Sequence, residues 1–251
     1  MISEMSESQR SDIISFYDEE SIGYSKKRYE GPAVTYTQFF FKNRLAIVLR
    51  ELAILLANKR DLRLLDVGCA DGVITRAIAQ KFPGSFDELV GVDISEGMIE
   101  TARKLTVDPK IAFFLKDGEA FQNKESAPSF HIALGLGYLS LAILDGELQF
   151  LKQHLKVGGI YICSLSAKNS SHARFKINTA SYRNDYASYS EYEKILSKHF
   201  DIIKAVPNGL FIPKLWAFPI IGRMLQPLFD TVFAKITPNL FHENIYVLKL
   251  L

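Results

Sequence analysis

The stretch Leu64-Leu65-Asp66-Val67-Gly68-Cys69-Ala70-Asp71-Gly72 decides the fold, and Leu89-Val90-Gly91-Val92-Asp93 completes its reading. An apolar run enters a turn of small residues, and a second apolar run ends on a carboxylate. The pattern reads as buried strand, tight turn, helix and second buried strand. In an open parallel α/β sheet, an adenosine-bearing ligand binds outside the carboxyl ends of such strands. Gly68, Ala70 and Gly72 let backbone approach a ligand that larger side chains would hold off. Asp93 ends the second strand, where a carboxylate accepts hydrogen bonds from two ribose hydroxyls.

Two nucleotide-type patterns compete for this turn. A dinucleotide fingerprint needs a third glycine for close helix–strand packing. Counted from Gly68 that position is Val73, which is too bulky. The pattern Asp66-x-Gly68-x-Ala70-x-Gly72 instead resembles the first motif of the class I S-adenosylmethionine-dependent methyltransferases, with Ala in place of the middle glycine. Gly91-Val92-Asp93-Ile94-Ser95, Lys116-Asp117-Gly118-Glu119-Ala120 and Leu155-Lys156-Val157-Gly158-Gly159-Ile160 extend the resemblance in order, over about residues 38–206, with a last strand at 245–251.

The resemblance implies a doubly wound, mostly parallel seven-stranded sheet with an antiparallel last strand. It implies S-adenosylmethionine as cofactor and S-adenosylhomocysteine as product. It gives Asp66 the methionine end of the cofactor, Asp93 the ribose, Asp117 with Gly118 the adenine edge, and Ile94 and Met98 the packing on adenine or ribose. The segment Leu134-Gly135-Leu136-Gly137-Tyr138 then lies near the methionyl end and the acceptor. Close backbone approach at Gly135 and Gly137 fits that place. Tyr138 and His172 are the candidate catalytic residues. Tyr138 either lines the acceptor pocket or packs under the next helix, and His172 lies in the loop after strand five. His242 is a weaker candidate for the same pocket.

Composition bounds the rest. With 251 residues, 48% hydrophobic and 23% charged, the chain suits one α/β domain. A net charge of +2 shows no broad basic footprint for nucleic acid. Cys69 lies in the turn after the first strand and Cys163 on the fifth, and those strands are not neighbours in this family, so two free thiols and a reducing, cytoplasmic setting are expected. Residues 1–10 lack the apolar core of a signal peptide, and no apolar run is long enough to span a bilayer. No His or Cys spacing suggests a metal.

The expected organisation is a single domain over 1–251. A cover at 1–37 carries Tyr17, Tyr24 and Tyr29 in short helical turns, and the core is 38–206. An insertion at 207–243 precedes a last strand at 244–251. Strands are expected at 62–67, 88–93, 110–115, 129–135, 159–165 and 200–206, with helices at 38–58, 72–81, 96–105, 145–155 and 188–198 and a loop at 166–187. His131 and His199 read as structural and His154 as solvated. Five prolines forbid one long helix through the insertion. There Leu225, Leu228, Phe229, Val232, Phe233 and Ile236 share a helical face, with Arg223, Gln226 and Asp230 opposite. Six such side chains need a partner, and core, ligand, a bilayer surface or a second subunit stay open. The acceptor is expected to be a small molecule, with apolar, lipid-linked and glycan-linked types open, and the protein a monomer or homodimer. A non-catalytic cofactor-binding protein on the same fold is the rival.

Overall fold

A computed structural model describes residues 7–124, 127–175 and 186–251. The chain runs α1 (Glu7–Glu20), α2 (Tyr24–Arg28), α3 (Tyr36–Leu55), β1 (Leu62–Val67), α4 (Val73–Lys81), β2 (Phe86–Asp93), α5 (Glu96–Lys104), β3 (Ile111–Leu115), α6 (Glu119–Lys124), β4 (Phe130–Gly135), α7 (Leu141–His154), β5 (Leu155–Ser166), α8 (Ser171–Arg174), α9 (Tyr189–Leu196), β6 (Phe200–Asn208), α10 (Pro219–Ile236) and β7 (Glu243–Leu250). The sheet order is β3-β2-β1-β4-β5-β7-β6. β7 pairs antiparallel with both β5 and β6, and the other pairs are parallel. This is the expected doubly wound sheet with its antiparallel last strand. The order reverses between β1 and β4, so their carboxyl ends open the crevice where ligands bind in such sheets.

Both faces of the sheet are covered, which is why the central strands are apolar on both sides. One core joins Val67, Val92, Ala133 and Cys163 to Leu144, Leu148 and Leu151 of α7 and Tyr192 of α9. The other joins Leu64, Leu134, Ile162 and Val247 to Val48 and Leu52 of α3 and Ile78 of α4. Ser95 caps α5 as expected, its hydroxyl accepting from the Met98 amide at 3.1 Å. Cys69 and Cys163 are buried free thiols.

Several expectations need correction. The cover is not a set of short turns, because α1 has 14 residues. α7 starts at Leu141, four residues before the expected start. β5 begins at Leu155 and runs through the Gly158-Gly159 turn. Phe130 pairs with Leu155 and Ile132 with Ile160, so Gly158, with φ of 73°, lies in a bulge inside the strand. His154 is not solvated. It is buried and packs on Phe121 and Phe150, and its Nδ1 lies 2.7 Å from the Phe150 carbonyl. His131 is structural, its Nδ1 accepting from the Arg63 amide at 3.0 Å. Part of the loop at 166–187, residues 176–185, lies outside the described residues.

The insertion departs furthest. One helix of 18 residues, α10, runs through it, with Pro219 at its first position and Pro227 inside. The first turn needs no proline N–H, and Pro227 lies on the exposed side. The expected apolar stripe does not face one way, since Leu225, Phe229 and Phe233 are half-buried. Gly222, Gln226 and Asp230 face the protein, while Leu228, Val232 and Ile236 face outward. The cause is the backbone beneath the helix. The Leu210 amide donates to Asp230 Oδ1 at 3.1 Å, and Gln226 Nε2 donates to the Leu210 carbonyl at 2.6 Å. Trp216 Nε1 donates to Gln226 Oε1 at 3.1 Å. An irregular loop needs hydrogen-bond partners for its buried polar groups, and only the polar stripe supplies them.

Candidate functional site

The turn after β1 is stitched to β2, since the Gly68 and Cys69 amides donate to the Val92 carbonyl at 2.8 and 3.1 Å. Gly68, Ala70 and Gly72 all have left-handed backbone, with φ of 70°, 48° and 76°. Glycine adopts this freely, but alanine does so at a cost. Asp93 holds the alanine in place, because its Oδ2 accepts from the Ala70 amide at 2.9 Å. Its Oδ1 accepts from the Ser95 amide at 3.0 Å. Burial pushes the Asp93 pKa up, and these amides pull it back. Each oxygen keeps a second lone pair, so hydroxyl donors can still be accepted.

Asp66 is buried at the end of β1 and accepts the Thr75 hydroxyl at 2.6 Å. Burial pushes its pKa up to about 7, and the nearby Asp93 charge adds to the effect. Asp66, Gly68, Ala70 and Leu136 line a cavity of about 10 Å³ that Tyr24, Tyr29 and Arg44 close from above. Arg44 is buried in α3, and its Nε and Nη2 donate to the two oxygens of Glu243, both at 2.8 Å. Burial works against the guanidinium charge, yet Glu243 holds its pKa above the ordinary value.

The cover is tied to the cofactor loops at three places. Asp18 Oδ1 accepts the Ser95 hydroxyl at 2.5 Å and the Gly97 amide at 3.1 Å. Asp71 Oδ2 accepts the Ser25 amide at 2.9 Å and the Ser25 hydroxyl as well. Arg10 pairs with Asp117. Of the expected tyrosines, Tyr24 and Tyr29 reach the cavity lining, whereas Tyr17 packs edge-on against Phe16.

On its other side Arg44 lies 4.8 Å from the centre of the Phe40 ring. Phe40 stacks on His242 at 4.3 Å, and His242 stacks on His172 at 3.8 Å. Tyr36 packs against this pair and meets Phe211 edge-on at 5.1 Å. An aromatic wall thus continues from the cavity lining to the insertion. β5 and β7 pair Ser166 with Glu243, which puts the wall at the carboxyl-end edge of the parallel strands.

The structure brings Asp66, Gly68, Ala70, Gly72 and Asp93 into one site and places other candidates apart from it. Ile94 is half-buried beside Asp93. Met98 is fully enclosed in the core and has no open side for a ligand. Asp117 is exposed with Arg10, and Gly118 accepts the Phe121 amide at the start of α6. Gly135 is required by the core, since a Cβ there would collide with the Tyr161 hydroxyl. The Tyr138 ring lies against Gly68, but its hydroxyl is buried, and burial with the Glu147 charge pushes its pKa well above the usual value. That hydroxyl is enclosed in the core beside Glu147 and Tyr161. Sequence reading missed Arg44 and Glu243. The available signal was a lone arginine in line with buried Tyr36, Phe40, Val48 and Leu52 on α3.

Residues 64–159 match the family described as methyltransferase domain. Malonyl-[acyl-carrier protein] O-methyltransferase of Bacillus cereus is 28% identical over 144 residues, 55% of this chain and 51% of that protein. The chain thus spans about half the length of that relative. Among solved structures, geranyl diphosphate C-methyltransferase from Streptomyces coelicolor superposes with a TM-score of 0.61 at 15% identity, covering 99% of this chain and 98% of that one. The [4+2]-cyclase SpnF gives 0.64 at 14% identity, covering 99% and 97%. No helix among the described residues is long and apolar enough to cross a membrane.

Proposed function

We propose that this chain, which carries a class I S-adenosylmethionine-dependent methyltransferase domain, moves the cofactor's methyl group onto a small apolar acceptor held at the Phe40–His242–His172 wall. The carrying observation is the continuity of that wall with the cofactor cavity through Arg44. S-adenosylmethionine supplies a reactive methyl on a sulfonium, so the protein's work is alignment, worth ~7–11 kcal/mol in favourable cases. In this reading Asp93 takes the ribose hydroxyls and Asp66 the cationic end of the amino-acid portion. Tyr24, Tyr29 and the Glu243-paired Arg44 close over it. His172 is the polar group of the acceptor wall and serves as general base for a hydroxyl or acid acceptor. Tyr138 contributes its ring face.

A second reading follows the Bacillus cereus relative: a malonyl acid carried on a protein. Arg44 is already neutralised by Glu243, so this reading needs another cation to receive the acid. Methyl-labelled S-adenosylmethionine offered with prenyl alcohols, fatty acids and malonyl-acyl carrier protein separates the two. Label is expected in an apolar acceptor. With that acceptor His172→Ala should lower kcat at least ~100-fold, with cofactor affinity unchanged. Label in the carrier protein alone selects the second reading. Cofactor binding with no transfer to any class favours the non-catalytic rival.

A further inference from the structure

We propose that α10 is an interfacial helix that seats this protein on an anionic lipid surface. Helices of globular proteins turn their apolar side inward, yet much of the apolar surface of α10 faces outward. Gln226 and Asp230 are buried against the loop at Leu210, where the Gln226 amide and Asp230 Oδ1 make hydrogen bonds. Ile220, Ile221, Met224, Leu228, Val232 and Ile236 face outward, with Met224 at 72% exposure and Ile236 at 67%. Phe218, just before the helix, is 66% exposed and extends the patch. Of the stripe whose partner the sequence left open, Leu228, Val232 and Ile236 are therefore exposed and Leu225, Phe229 and Phe233 half-buried. Exposed apolar area of this extent marks an interaction surface.

Charge selects the occupant. Along 209–242 the cations Lys214 and Lys235 are exposed, while Arg223 on the flank donates to the Ala33 carbonyl at 3.2 Å. The carboxylate within the helix, Asp230, is buried on the opposite side, so the outward surface of α10 carries positive charge and no negative charge. A second copy docked by a two-fold axis would set this patch against itself, cations included, with no carboxylate on the helix to answer them. An anionic bilayer answers both features at once. It accepts the apolar side chains below the headgroups and pairs the cations with lipid phosphate. No described helix can span a bilayer, so α10 lies in the plane of the surface. The face carries its own sequence signature, an apolar stripe rimmed by Lys and Arg. It stands apart from the methyl-transfer reading, since binding to lipid needs neither cofactor nor acceptor.

The test is sedimentation with vesicles of phosphatidylglycerol and phosphatidylcholine in equal parts, against vesicles of phosphatidylcholine alone. The wild type should sediment with the anionic vesicles, less with the neutral ones, and less in high salt. Met224→Asp with Leu228→Asp alters two outward side chains and should cut the bound fraction more than tenfold with unchanged circular dichroism. Lys214→Glu with Lys235→Glu should weaken binding about tenfold, and it decides the matter if the first pair disturbs folding. Wild type that stays in the supernatant with anionic vesicles overturns the proposal. So does binding that neither pair weakens. A stable dimer in light scattering that the Met224/Leu228 pair dissolves would also overturn it, assigning the face to a second copy.

Discussion

Asp66 sits on the last turn of the first strand with burial and a second carboxylate both opposing its charge. The sign of its pH effect follows. Its folded pKa of about 7 lies above the usual carboxylate value of ~3.9. Between these values the folded protein holds a proton that the unfolded chain releases. This group's contribution is therefore fully present at low pH and lost as pH rises through about 7. Cofactor binding has the opposite slope if Asp66 receives a cation, because the cation favours the ionised form. S-adenosylmethionine affinity should then tighten by up to ~10-fold per pH unit up to about 7 and level off above it. Calorimetric titration in buffers of differing ionisation enthalpy should show proton release, and Asp66→Asn should flatten the profile. A flat wild-type profile would remove Asp66 from the cationic end. The pattern Asp-x-Gly showed where this carboxylate stands, but not its protonation, which depends on the tertiary burial that Thr75 and Asp93 complete.

Helix α3 and strand β7 are joined by a buried polar link. Glu243 accepts both nitrogens of Arg44 and also Asn208 Nδ2 at 2.7 Å, while Asn43 donates to Asn208 at 2.8 Å. Glu243→Gln keeps the shape but leaves a buried guanidinium without its counter-charge. Such breaks cost ~3–5 kcal/mol. Urea unfolding should show a loss of that order. The double change Arg44→Met with Glu243→Leu should recover much of it, because both desolvation costs disappear. A loss below about 1 kcal/mol would mean that water reaches the guanidinium. The same two elements mark the limit of sequence reading. Strands β1, β2 and β4 and the turn at Gly68 were legible because apolar runs and small residues are local signals. The Arg44–Glu243 partnership joins positions 199 apart and leaves no local trace. Gln226 and Asp230 misled for a related reason. Period alone cannot say which side of a helix meets the protein when a loop, rather than a greasy core, is what it covers.

At the scale of the whole molecule, buried polar contacts tie the cover and α3 to one end of the sheet. Asp18 ties the cover to the start of α5, Asp71 ties α2 to the turn after β1, and Arg44 ties α3 to the antiparallel edge. The order of strands and the cofactor class were legible because three motifs follow the carboxyl ends of β1, β2 and β3 and a fourth opens β5. The acceptor was not, since the wall proposed for it is assembled from Phe40, His172, Phe211 and His242, which belong to four separate segments. A ligand bound only by the folded state stabilises it by RT ln(1 + [L]/Kd), ~2.7 kcal/mol at a hundredfold excess over Kd. For a chain of this size each kcal/mol raises Tm by ~2–4 °C. S-adenosylhomocysteine at that excess should therefore raise Tm by ~5–10 °C. NAD should leave it unchanged, because Val73 blocks the close packing that a dinucleotide turn needs. Asp93→Ala should erase most of the shift, since the ribose loses two hydrogen bonds to a charged group, each worth ~1.5–3 kcal/mol. It also frees the Ala70 amide, so its own Tm must be the reference for that comparison. A shift with NAD equal to that with S-adenosylhomocysteine would overturn the cofactor assignment. An undiminished shift in Asp93→Ala would instead move the ribose to other groups on the same sheet edge.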